Sequence, residues 1–130
     1  MTEQNKKINV GIIGGAGYTG GELIRILINH PNATISFVQS KSNAGNALSK
    51  VHEDLAGETQ LTFSEAHHFN IDVLFFCAGH GEAKKFVEQN EIPAYVKLID
   101  IGNDFRLVND SEVKERKFIY GLPELNRDAI

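Results

Sequence analysis

Four glycines near the N-terminus have the type and spacing to hold a pyrophosphate. Gly15, Gly17 and Gly20 spell G-x-G-x-x-G, and Gly14, Gly17 and Gly20 spell the overlapping G-x-x-G-x-x-G. Glycines let a backbone turn tightly and come close to phosphate oxygens. Tyr18 and Thr19 follow Gly17, where the chain is expected to enter a helix. Their backbone N–H groups count for more than their side chains, because a helix N-terminus offers unpaired donors and a positive dipole end. Roughly 20 residues on, an NAD site carries an acidic residue for the ribose 2′-hydroxyl. This chain reads Ser40-Lys41-Ser42 there, with no Asp or Glu between Ser36 and Asn43. Two hydroxyls and a cation can bind a 2′-phosphate that a carboxylate would repel, so NADP is expected rather than NAD. The plainer alternative is a lysine in a solvated loop.

Further candidates stand at the ends of later apolar runs. His80 lies in Ala78-Gly79-His80-Gly81, after Ile71–Cys77. The carboxyl ends of strands face the ligand in doubly wound sheets, which puts Gly79 and His80 near the nicotinamide or its ribose. A structural loop histidine is the alternative. Arg106 follows Asp104 and Phe105; it either clamps a substrate anion bidentately or pairs with Asp104 or Asp100 to hold its loop. Cys77, the one cysteine, follows Val73-Leu-Phe-Phe76 and reads as a small packed residue, with no cation nearby in sequence to lower its pKa. His67 and His68 have no spaced partners for a metal and read as surface histidines.

The elements that must position these residues follow from periodicity. Ile8, Val10 and Ile12 alternate and Ile13 continues the run, which predicts a first strand. Thr19–Asn29 carries Leu23, Ile26 and Leu27 at helical spacing, and Pro31 marks the end. Thr34–Val38 predicts a second strand and Leu61–Phe63 a short third, with a short helix between them built on Ala47, Leu48, Val51 and Leu55. Ile71–Cys77 is nearly all apolar, as a parallel strand covered on both faces is. A helix over Glu82–Asn90 with Ala83, Phe86 and Val87 inward, and a strand over Val96–Ile101, complete the alternation. A last strand is expected within Lys114–Tyr120 and a helix start at Arg127. Alternating strands and helices imply an α/β fold, a doubly wound parallel sheet of the Rossmann NAD(P)-binding kind.

The 130 residues suit one domain. A net charge of −4, with 13 basic against 17 acidic residues, and no basic run argue against nucleic acid as a partner. No run approaches the about 18 apolar residues of a membrane span, and Met1–Lys7 is polar rather than leader-like. A cytoplasmic protein acting on a small molecule is expected.

Four stretches, in order, resemble N-acetyl-gamma-glutamyl-phosphate reductases of arginine biosynthesis. They are Gly17-Tyr-Thr-Gly-Gly-Glu-Leu23, Val73–Gly81, Leu98–Leu107 and Tyr120-Gly-Leu-Pro-Glu-Leu-Asn126. The glycine loop alone would also fit aspartate-semialdehyde dehydrogenases. The resemblance implies NADPH-dependent reduction of an N-acylglutamyl 5-phosphate to the semialdehyde, with phosphate released. It implies a nucleophilic cysteine beyond Ile130 and a histidine base in a second domain, so that residues 1–130 look like the cofactor domain of a longer, homo-oligomeric enzyme. It places Tyr120 and Glu124 beside the active site, although a tight Gly-Leu-Pro turn explains part of that pattern without any chemistry. Ala78-Gly79 stands where the family has Leu-Pro, which implies a more flexible loop before His80, and Gly102-Asn103 replaces a serine and a small residue. A stand-alone NADP-binding sensor module is the alternative from another class.

Overall fold

A computed structural model describes residues 6–107 and 111–130. Five strands form one parallel sheet: β1 (Ile8–Ile13), β2 (Ala33–Gln39), β3 (Phe63–Ser64), β4 (Val73–Phe76) and β5 (Lys97–Asp100), in the order β3-β2-β1-β4-β5. Because β1 is central, it is covered on both faces. Ile12 packs with Ile24 and Leu27 of α1 (Tyr18–Ile28), and Ile13 packs with Ala83 and Val87 of α2 (Glu82–Gln89). One strand thus feeds two cores through successive residues, as the period of 2 dictates. Each fully buried side chain of this kind contributes roughly 1.5–3 kcal/mol of transfer free energy. The expected doubly wound architecture is observed.

The order has a direct consequence for the ligand edge. The chain leaves β1 toward β2 on one side and reaches β4 on the other, so the sheet has its switch point between β1 and β4. The Gly14 loop, the Ser40 turn, the Ala78–Gly81 loop and the segment after Asp100 all leave carboxyl ends of parallel strands, and so share one edge.

Three sequence expectations are corrected. The helix expected over 47–55 is two 3-10 turns, Leu48–Lys50 and Glu53–Leu55, split at Val51–His52. The His52 backbone N–H bonds to Leu48 O, but its ring turns inward to a polar partner instead of continuing a helix. The strand expected within 114–120 is a two-residue hairpin, β6 (Glu112–Val113) and β7 (Arg116–Lys117), outside the main sheet. The Arg116 guanidinium donates to the carbonyls of Ile92, Pro93 and Val96, which ties the hairpin to the loop before β5 rather than to its edge. The last helix, α3 (Pro123–Asn126), starts before Arg127 rather than at it. No described helix is long and apolar enough to cross a membrane.

Candidate functional site

The glycine turn uses both of its overlapping spacings. Gly14 has φ +79°, and a Cβ there would lie 2.7 Å from the backbone N and Cα of Ala78 on the neighbouring β4 loop. A Cβ on Gly20 would lie 2.7 Å from Gly15 Cα and O. Gly17, between them, is the N-terminal flank of α1, and a Cβ there would meet nothing within 4 Å. A Cβ on Gly15 would collide with Val38 Cγ1. Gly14 and Gly15 therefore both make the turn, Gly20 seats the helix against it, and Gly17 leaves the approach open, so each glycine of the two overlapping spacings has a part.

The amides of the turn divide into two sets. Those of Gly14 and Gly15 both donate to Gln39 O, at 3.0 and 3.1 Å. They anchor the turn to β2. The first intrahelical bond of α1 is Gly21 N to Gly17 O at 3.0 Å, no side chain caps the helix, and its first turn holds no acidic residue. The amides of Tyr18, Thr19 and Gly20 precede that bond and have no acceptor within the helix. They form a donor set suited to an anion, while the Tyr18 side chain is 97% exposed.

Beyond β2, Ser40 is buried and Lys41 and Ser42 are exposed. Asn43, not anticipated from sequence, draws the two serines together: its Nδ2 donates to Ser40 Oγ at 3.3 Å and to Ser42 Oγ at 3.2 Å. Both hydroxyl oxygens then act as acceptors, and both O–H protons stay free to donate.

The ends of β4 and β5 join through polar contacts. His80 Nδ1 lies 2.9 Å from Asn103 Oδ1, and the imidazole is exposed. Asp104 accepts from the Gly81 and Lys84 amides at 2.8 and 3.0 Å, so its nearly buried carboxylate caps α2. Among the described residues Arg106 forms no ion pair with Asp104 or Asp100, although its charge acts on the Asp100 carboxyl; the guanidinium lies 5.9 Å from the centre of the Tyr120 ring, a cation–π contact. Arg106 and Tyr120 border a groove of about 860 Å³ between β5 and the C-terminal segment, lined also by Asp100, Phe118 and Leu122. Glu124 is exposed on α3, outside that lining. Burial holds the Asp100 carboxyl above its usual range, against the Gly102 amide that bonds its charged form.

Cys77 packs with the α1-side core, and burial, then the Asp100 charge, pushes its thiol up to about 11. Alkylation of the native chain by iodoacetamide at pH 8 is expected to run about 100-fold slower than in denaturant, from thiolate population alone. The native state holds this proton more tightly than the unfolded chain, so its contribution to stability falls as pH rises from about 9 toward about 11. Equal native and denatured alkylation rates would contradict this environment.

His67, expected at the surface, is partly buried between the Phe86 and Phe69 rings, at 4.8 and 5.2 Å; His68 is exposed beside Phe37. His52 was not anticipated at all. Its Nε2 lies 2.8 Å from Gly15 O, and its ring fills the space a Gly21 side chain would need.

Comparison with known proteins adds three findings. Residues 9–130 match the family model for the semialdehyde dehydrogenase, NAD binding domain. The chain is 55% identical over 124 residues to the N-acetyl-gamma-glutamyl-phosphate reductase of Phocaeicola vulgatus, covering 95% of this chain and 37% of that protein. It is 50% identical over 123 residues to the same-named protein of Flavobacterium johnsoniae, covering 95% of this chain and 38% of that protein. The chain thus spans little more than a third of these relatives' length. Among solved structures, an aspartate semialdehyde dehydrogenase with NADP from Candida albicans matches with a TM-score of 0.62 at 22% identity, over 78% of this chain and 31% of that one. That likeness concerns the fold.

Proposed function

The chain belongs to the semialdehyde dehydrogenase NAD-binding-domain family, and from that premise we propose that residues 1–130 are the NADP(H)-binding domain of an N-acetyl-gamma-glutamyl-phosphate reductase. The observation that carries the cofactor reading is the uncapped N-terminus of α1 behind Gly17, beside two serine hydroxyls gathered by Asn43. The identity to reductases of that name supports the substrate.

In this reading the amides of Tyr18, Thr19 and Gly20 hold the pyrophosphate, with Gly14 and Gly15 shaping the turn. Ser40, Lys41 and Ser42 hold the 2′-phosphate. Gly79 and His80 border the nicotinamide end, and Arg106, Tyr120 and Glu124 stand on the substrate side. The cofactor supplies hydride when bound. The full-length enzyme takes N-acetylglutamyl 5-phosphate, NADPH and a proton to the 5-semialdehyde, NADP⁺ and phosphate. The cysteine nucleophile lies outside these residues, because Cys77 is packed and its thiol is hard to ionise.

Two measurements test the reading. The 130-residue chain is expected to bind NADPH at least about 10-fold more tightly than NADH, with no turnover of its own. The full-length protein is expected to oxidise N-acetylglutamate 5-semialdehyde with phosphate and NADP⁺, and not aspartate semialdehyde. Equal affinities overturn the cofactor assignment, and turnover of the aspartate compound alone overturns the substrate.

A further inference from the structure

We propose that His52 is a positioning residue of the nucleotide site, fixing the phosphate-facing turn through the Gly15 carbonyl. The proposal rests on reading that turn as the pyrophosphate seat.

His52 is 7% exposed and lies 37 residues from Gly15 in sequence. A carbonyl oxygen can only accept, so Nε2 carries a proton and donates it across the 2.8 Å contact. The imidazole is held on every side. Its backbone N–H bonds to Leu48 O and its carbonyl accepts from Leu55 N, which fixes it between the two 3-10 turns. Its ring lies tilted against Phe63, itself 1% exposed, with centroids 6.2 Å apart. The opposite side meets Gly21, where a Cβ would come within 2.7 Å of Nδ1.

Gly15 is therefore gripped at both backbone groups: its N–H by Gln39 O and its C=O by His52. A carbonyl turned toward a phosphate would repel it. Held by His52, the carbonyl of the buried Gly15 faces Gly20. The helix whose amides form the donor set thus rests on an atom that the imidazole holds. On this reading the contact supports the pyrophosphate seat rather than the Ser40–Ser42 end, and so it makes an asymmetric prediction.

The test uses the 130-residue chain with two probes. NADP⁺ carries both the pyrophosphate and the 2′-phosphate; adenosine 2′-monophosphate carries only the latter. His52→Phe keeps a ring and removes the donor; His52→Gln restores a donor at nearly the Nε2 position. His52→Phe is expected to weaken NADP⁺ about 10-fold and adenosine 2′-monophosphate less than about twofold, and His52→Gln to recover most of the loss. Unchanged NADP⁺ affinity in folded His52→Phe overturns the role of His52 and leaves the nucleotide reading standing. Parallel weakening of both probes, tracking the thermal midpoint, reduces His52 to a packing residue and also overturns it. Wild type that binds neither probe overturns the nucleotide reading and this proposal together. Should His52→Phe not fold, the imidazole ¹⁵N spectrum of the wild type decides. A slowly exchanging Nε2–H whose signal moves with NADP⁺ and not with adenosine 2′-monophosphate is expected; indifference to NADP⁺ overturns the proposal.

Discussion

Gly20→Val is expected to lower the thermal midpoint by about 10 °C or more, while Gly17→Val leaves it within about 2 °C. The two glycines lie three residues apart in one turn, yet their surroundings are opposite. At Gly20 the new Cβ would sit 2.7 Å from Gly15 Cα and O, which are backbone atoms. No rotamer relieves that contact. Either α1 moves off the sheet or the β1–α1 turn opens, and opening it loosens the Gln39 and His52 bonds to Gly15. Overpacking of this kind costs about 1–3 kcal/mol, and the disturbed hydrogen bonds add to it. At Gly17 the backbone has φ −82° and ψ 178°, which valine adopts freely, and nothing lies within 4 Å of the added carbon. The cost there should instead appear in ligand affinity: NADP⁺ binding is expected to fall at least about 10-fold in a chain of normal stability, because the side chain fills the approach to the amides. Paired melting curves and titrations check both halves. Gly17→Val binding NADP⁺ like wild type would remove Gly17 from the site.

Lys41→Glu is expected to weaken NADPH about 50-fold and NADH less than about threefold, erasing the preference between them. Lys41 is exposed, so its charge is well solvated and a single attraction there is modest. The substitution does more than remove an attraction. In the proposed site it puts a carboxylate beside a 2′-phosphate that carries nearly two charges, next to hydroxyls whose oxygens already accept from Asn43. The wild-type preference should also shrink as salt rises, since exposed charges are screened within about 10 Å at 0.1 M. Fluorescence titration with both nucleotides at two ionic strengths reads all of this. A variant that weakens both nucleotides equally would relocate the 2′-phosphate away from Lys41.

What sequence can show about this chain follows from the range of each signal. β1, α1 and the glycine turn were legible because strand alternation, helical spacing and turn chemistry all act within about 15 residues. The same holds for β4, whose apolar run reflects burial on both faces. His52 was hidden because its partner, Gly15, is 37 positions away and nothing local distinguishes a buried imidazole from a solvated one. Asp104 was read as a possible partner of Arg106, its near neighbour in the chain, but amides at the start of α2, 23 and 20 residues earlier, hold its carboxylate. The span 47–55 has helical spacing, yet the His52 side chain is drawn toward Gly15 and the helix gives way to two short turns.

The capping of α2 by Asp104 also gives the crevice a direction. Two helix N-termini point at the switch of the sheet, and a dinucleotide could in principle lie across them either way. One of them already holds a carboxylate of the protein itself, at 2.8 and 3.0 Å from its amides. On the proposed reading the end behind Gly17, which no side chain caps, takes the phosphates. A dinucleotide anchored there, with its adenosine ribose toward Lys41, must run from the β2 side to the β4 side. On that reading the molecule acts as a keyed slot: it determines which face of the sheet edge receives the reactive ring before any contact to that ring is made.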